Sequence, residues 1–273
     1  MKLLRGIRTA AIGLGFAALT ATALASPALA NSATPASGAA KPTIVLVHGA
    51  WADSSSWDNV RQELQRDGYN VLVPANPLRG LSSDASYLST YLAQRATGPV
   101  VLVGHSYGGA VITNAALSDP QVKALVYVDA FMPDSGESIG QIVGSSTSAL
   151  NVADPTSVYD VVGFSDGTAE AYLKPQVIQN DVAQDLSLTE QQTLIADQRP
   201  ISLGAVSDPS GTPAWKTIKS YSVIGTEDQV LPEATQLQEA HRANSTITLV
   251  KGSHMSLISK SHQVAQVIET AAH

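Results

Sequence analysis

Val100-Val101-Leu102-Val103-Gly104-His105-Ser106-Tyr107-Gly108-Gly109 is the stretch on which the fold of this chain turns. Four aliphatic residues, Val100 to Val103, predict a strand buried on both faces, as in a parallel sheet. Gly104-His105-Ser106-Tyr107-Gly108 is a G-x-S-x-G, and Gly109-Ala110-Val111-Ile112 behind it predicts a helix. Strand, sharp turn and helix together lift a serine hydroxyl above a sheet edge. Side chains in place of the glycines would collide with backbone at such a turn. The first turn of the helix also presents backbone N–H groups where negative charge is favoured. An ordinary serine in a Gly-rich turn is the competing reading, and the match on both flanks argues against it.

The 273 residues suit one large α/β domain or two small ones, and 44% hydrophobic against 14% charged content allows a substantial core. A formal net charge of −7, with no basic run beyond the extreme N-terminus, argues against a nucleic-acid partner. The chain has no cysteine, which excludes disulfides, thiolate metal sites and a cysteine nucleophile.

Residues 1–30 predict a secretory signal peptide. Lys2, Arg5 and Arg8 form its positive region, residues 10–24 its apolar region, and Ala28-Leu29-Ala30 a cleavage site before Asn31. Ala23-Leu24-Ala25 is a second possible site. The apolar run is short for a membrane span and contains Gly13 and Gly15, so a cleaved signal is expected rather than an anchor. The mature protein is then exported, periplasmic or extracellular, without stable membrane association. Residues 31–41, rich in Ala, Ser, Pro and Gly, predict a flexible leader.

From residue 42 the chain alternates. Strands are predicted over 42–47, 70–74, 100–103 and Lys123–Asp129, with helices over 54–67, 82–96 and after Ser106. This pattern implies a mostly parallel sheet with helices on both faces, whose ligands sit outside the carboxyl ends of the strands. The alternation stops at Phe131-Met132-Pro133. Residues 131–216, rich in Ser, Gly, Asp and Gln, predict a cap inserted after the Lys123–Asp129 strand. One helix is clear within it, opened by the capping box Ser187-Leu188-Thr189-Glu190 and ended at Arg199-Pro200. Alternation resumes with strands over 217–224 and 245–250, a helix over 232–241 and a final helix.

A serine hydroxyl becomes a nucleophile when a base takes its proton and an acid orients that base. His254 follows the last strand and Asp228 the one before it, so Ser106, Asp228 and His254 stand in the Ser…Asp…His order that accompanies this elbow. Asp129 also ends a strand and remains the alternative acid. His105 sits inside the motif and is expected to point away from Ser106. Two backbone N–H donors are required for an oxyanion. Tyr107, after the nucleophile, supplies one, and Ala50, in His48-Gly49-Ala50, the other. His48 is read as a support for that loop. Trp51, Phe131, Phe164 and Trp215 are candidate pocket aromatics. No H-E-x-x-H, metal cluster or phosphate loop is found, so neither metal nor cofactor is expected.

Val47-His48-Gly49-Ala50-Trp51, Gly104-His105-Ser106-Tyr107-Gly108-Gly109 and Gly252-Ser253-His254 together resemble the α/β-hydrolase family. The likeness runs from about Pro42 to Ala271 and is greatest to the small-cap branch of salicylate-binding-type methylesterases, hydroxynitrile lyases and bacterial serine esterases. Gln198-Arg199-Pro200, Pro213-Ala214-Trp215-Lys216 and the run from Gly225 to Pro232 are most like the bacterial members. The resemblance implies Ser106 as nucleophile, Asp228 as acid, His254 as base, and Ala50 and Tyr107 as oxyanion donors. Hydroxynitrile lyases of this type carry threonine and lysine where this chain has Gly49 and Met255, so the resemblance implies hydrolysis of small to medium carboxylic esters. The alternatives are a same-fold lyase, C–C hydrolase or cofactor-free oxygenase, or a non-catalytic binder.

Overall fold

A computed structural model describes residues 41–273. The predicted signal peptide, and the leader up to residue 40, lie outside the described residues. The described residues open with β1 (Thr43–Val47), the 3-10 turn Ser54–Trp57 and α1 (Asp58–Arg66). Then come β2 (Asn70–Leu72), α2 (Leu81–Arg95), β3 (Val100–His105), α3 (Tyr107–Ala115) and β4 (Val122–Val128).

An insertion follows. It holds α4 (Ile139–Gly144), β5 (Tyr159–Gly163), β6 (Ala169–Leu173), the short α5 (Pro175–Val177), α6 (Leu188–Asp197), β7 (Ile201–Ser202) and α7 (Leu203–Ser207). The chain then returns through β8 (Lys219–Gly225), α8 (Glu233–Arg242), β9 (Thr246–Val250), α9 (Ser256–Ser259) and α10 (Ser261–Ala271).

β1 to β4, β8 and β9 form one six-stranded sheet in the order β2-β1-β3-β4-β8-β9, parallel at every pairing. Strand residues alternate between its faces. Ile44, Leu46, Val101 and Val103 pack with Val60 and Leu64 of α1 and Val264 and Ile268 of α10. Val45, Val47 and Leu102 pack on the opposite face with Leu88 and Leu92 of α2 and Ala110 of α3. Both faces are therefore covered, which is why these strands read as unbroken aliphatic runs.

The insertion holds more regular structure than the one expected helix, α4 and α7 among it. Besides the helix opened by Ser187, whose reciprocal bonds with Glu190 form a complete capping box, it contains an antiparallel sheet in the order β5-β6-β7. Period-two patterning did not reveal it, because four of the five residues of β5 are exposed and β7 has two residues. Among the described residues no helix is long and apolar enough to cross a membrane.

The turn between β3 and α3 holds Ser106 at φ +51°, ψ −124°, in a region that L-residues disfavour. A Cβ on Gly104 would lie 2.6 Å from the Gly108 carbonyl oxygen, and one on Gly108 would lie 2.5 Å from that of Val47. The motif glycines are thus required by the packing of α3 directly against β3 and β1.

Candidate active site

Strand order reverses between β1 and β3, so the crevice of this sheet opens where the loops after those two strands diverge. Ser106 leaves β3 there, and Gly49, Ala50 and Trp51 leave β1. A Cβ on Gly49 would lie 2.6 Å from Cβ of Ser106, so only glycine lets the two loops meet.

Ser106 Oγ lies 2.8 Å from Nε2 of His254, and Nδ1 of the same ring lies 2.8 Å from Oδ2 of Asp228. With Nδ1 protonated, the imidazole donates to Asp228 and Nε2 is free to accept from the serine hydroxyl. All three side chains are buried. Burial lowers His254 to a pKa of about 3, so at neutral pH the ring is an uncharged base. Burial also pushes the Asp228 carboxyl up, against bonds from Leu231 N–H (2.9 Å), Val230 N–H (2.8 Å) and the Gln236 amide (2.9 Å). Gln236 is a support that sequence reasoning missed; it lies eight residues on, in the first turn of α8.

Asp129 occupies a different place. Its Oδ1 accepts from Gly225 N–H at 2.7 Å, and its Oδ2 accepts from both the N–H and the hydroxyl of Ser256. No bond joins it to His254. Burial, and then the charge of Asp228, push its carboxyl up. His105 points away from Ser106, as expected, and its Nε2–H donates to the backbone carbonyl of His254 at 2.8 Å.

The β1 loop is held by His48. Its Nδ1–H donates to the Gly49 carbonyl at 2.9 Å, and its Nε2 accepts from Asn76 N–H at 2.9 Å. Burial lowers this ring to about 4, which keeps the neutral tautomer that both bonds require. In a trans peptide C=O and N–H point in opposite directions. Turning the Gly49 carbonyl towards His48 therefore turns Ala50 N–H away from it. Across the crevice, Tyr107 starts α3, and its phenol donates to the buried Asp84 at 2.8 Å. Among the described residues neither Ala50 N–H nor Tyr107 N–H donates to a protein acceptor.

Ser106, Ala50 and Tyr107 open into a cavity of about 260 Å³. Its walls come from both the sheet loops and the insertion, with Trp51, Phe131, Ile139, Val143, Tyr159 and Ile201 among them, and among the described residues no charged side chain lines it. Trp51 and Phe131 thus stand where they were expected. Trp215 does not. It is packed in the core beside β8, donating through Nε1 to the Pro133 carbonyl at 3.2 Å, with the Arg242 guanidinium 5.7 Å from its ring centre. Phe164 is exposed after β5 and is likewise no part of the cavity. Among the described residues no group of three or more His, Asp or Glu side chains could hold a metal ion.

The sequence profile described as Alpha/beta hydrolase family matches residues 44–267. The chain belongs to the alpha/beta hydrolase family. As an alpha/beta hydrolase it is 37% identical over 107 residues to the carbendazim hydrolyzing esterase of Nocardioides sp. (strain SG-4G), a match spanning 35% of this chain and 44% of that esterase, less than half its length. It is 26% identical over 256 residues to norfluorocurarine synthase 2 of Strychnos sp, covering 82% and 92% of the two chains. The solved structure of polyneuridine aldehyde esterase superposes with a TM-score of 0.73 over 85% of this chain and 100% of that one, at 19% identity, a likeness of fold.

Proposed function

We propose that this alpha/beta hydrolase is a serine esterase that cleaves small to medium carboxylic esters with apolar acyl groups. The observation that carries the reading is the unbroken line from Ser106 Oγ through His254 to Asp228, 2.8 Å at each step, opening on an uncharged cavity. Ser106 Oγ attacks the ester carbonyl carbon as its proton passes to His254 Nε2. The C=O electron pair moves onto oxygen, where Ala50 and Tyr107 N–H groups stabilise it. Collapse of the adduct breaks the C–O bond to the alcohol, which takes the proton from Nε2. Water then gives a proton to Nε2 and attacks the acyl-serine carbonyl; collapse of this second adduct breaks the C–O bond to Ser106, whose Oγ takes the proton back from Nε2, so that the acid leaves and Ser106 is regenerated. Asp228 holds the ring tautomer throughout. The esterase names among the relatives support the same class.

The test is hydrolysis of short-chain p-nitrophenyl esters by the full chain beside Ser106→Ala. Turnover that falls by several orders of magnitude in the variant supports the reading. Absence of turnover on any ester overturns it and moves the lyase, oxygenase and binder readings ahead.

Export of the protein belongs to the same proposal, supported by the positive, apolar and A-x-A pattern of residues 1–30. N-terminal sequencing of protein released by the expressing cell should begin at Asn31 or Ser26; an intact Met1 in a cytoplasmic product would count against export.

A further inference from the structure

We infer that Trp51 is a positioning residue through which the cap fixes the oxyanion donor Ala50, an inference that rests on the esterase reading above. Trp51 stands at φ +56°, in the left-handed region that a bulky L-residue avoids unless its surroundings impose it. Here they do, and the cap supplies three of the restraints. The backbone N–H of Trp51 donates to the Arg199 carbonyl at 3.0 Å, and its indole Nε1–H donates to the Ala171 carbonyl at 2.9 Å. Its ring lies against Tyr159, with centroids 6.1 Å apart.

These partners form one body. Ala171 of β6 pairs with Ile201 of β7, and Arg199 is two residues before Ile201, while Tyr159 begins β5 of the same sheet. Trp51 is therefore pinned at two points to a single small sheet. Ala50 lies between two fixed peptides: His48 sets the one before it and the cap sheet sets the one after it. The orientation of Ala50 N–H follows from both.

Tyr159, Ala171 and Ile201 also line the cavity, together with Trp51 and Ser106. An acyl group that fills the cavity presses on the sheet that holds Trp51. Binding of the remote part of the substrate is thereby spent on ordering the donor, which raises kcat rather than only lowering KM. The cap takes part in the chemistry through this side chain, although it contributes no group to the Ser-His-Asp line.

The experiment compares the full chain with Trp51→Phe, which keeps the ring bulk and removes the Nε1–H. A second variant places benzothienylalanine at position 51, where sulfur replaces the indole N–H with the shape preserved; it serves if the phenylalanine variant does not fold. On p-nitrophenyl hexanoate, kcat should fall about ten- to hundredfold, less than for outright loss of an oxyanion contact because the donor is loosened and not removed, with KM changed less than about threefold. On the acetate, which leaves the cavity unfilled, the fall should be smaller, so that the rise of kcat with acyl length flattens. A trifluoromethyl ketone of the hexanoyl chain forms a tetrahedral adduct with Ser106, and its inhibition constant should weaken by the factor lost in kcat/KM. The plain methyl ketone should bind as before. A folded variant with unchanged kcat and unchanged trifluoromethyl ketone binding overturns the inference and leaves the esterase reading intact. A wild-type chain that neither turns over esters nor takes up the trifluoromethyl ketone overturns both.

Discussion

The carboxylate of Asp129 accepts a hydrogen bond at 3.2 Å from the backbone N–H of Ser256, two residues beyond the imidazole of His254. Its other oxygen accepts from Gly225 N–H. Asp129 therefore ties the loop that carries His254 to the end of β8, whereas Asp228 bonds the imidazole itself.

These two places predict opposite phenotypes. Asp228→Asn should lower kcat on a p-nitrophenyl ester by about 10³- to 10⁴-fold by spoiling the ring tautomer, with a small change in melting temperature. Asp129→Asn sets an amide NH₂ against donors and should cost about 1–3 kcal/mol of stability, with kcat lowered less than about tenfold. Kinetics and thermal melting of the two variants decide the assignment; the reverse pattern would make Asp129 the acid.

Burial lowers both His254, to about 3, and His48, to about 4, from the ordinary 6.5. A base must be neutral to act, so kcat/KM should persist well below the usual imidazole range as pH falls, until the fold gives way. The stability sign follows from proton uptake: below 6.5 the unfolded chain protonates these rings and the folded chain does not. Their contribution is whole above 6.5 and is lost as pH falls towards the lowered values. A pH profile whose acid limb has its midpoint near 6.5 would contradict this.

Glu239 has the opposite sign. It is buried in α8, accepts from Met132 N–H at 3.3 Å and lies 3.6 Å from Arg242; burial raises its carboxyl to about 8 from an ordinary 4.5. The folded chain holds this proton where the unfolded chain releases it. Its contribution is therefore whole below 4.5 and is lost as pH rises through about 8. Melting temperature should fall between about pH 5 and about pH 9 less steeply in Glu239→Gln than in wild type. Parallel curves for the two proteins would rule this out.

Gly49→Ala places a methyl group 2.6 Å from Cβ of Ser106, nearer than real Cβ atoms come to any neighbour. The β1 loop must shift, taking Ala50 N–H with it. Loss of one oxyanion donor predicts a fall in kcat of about 10²- to 10³-fold, with KM little changed. A near-normal kcat would show that Ala50 is not the donor.

The sheet was legible in the sequence because residues such as Ile44 to Val47 and Val100 to Val103 face helices on both sides, leaving no polar alternation to confuse with another element. Ser106, Asp228 and His254 were legible as chemistry-bearing residues just past strand ends. What holds them was not. Asn76 meets His48, Asp84 meets Tyr107 and Ser256 meets Asp129 across 28, 23 and 127 residues of chain, and no local period records such pairs. Trp215 misled because an aromatic residue near the cap boundary reads alike whether it lines a cavity or, as here, closes the core over Pro133 and Arg242.

The uncharged lining of the cavity bears on how a turnover ends. On the esterase reading an ester enters neutral, but its acid product ionises, and among the described residues the walls from Phe131 to Ile201 offer no cation to receive it. An unpaired carboxylate in such surroundings loses several kcal/mol of hydration. Ionisation therefore drives the acid back to water, and the apolar walls that draw the substrate in also keep its product from accumulating as an inhibitor.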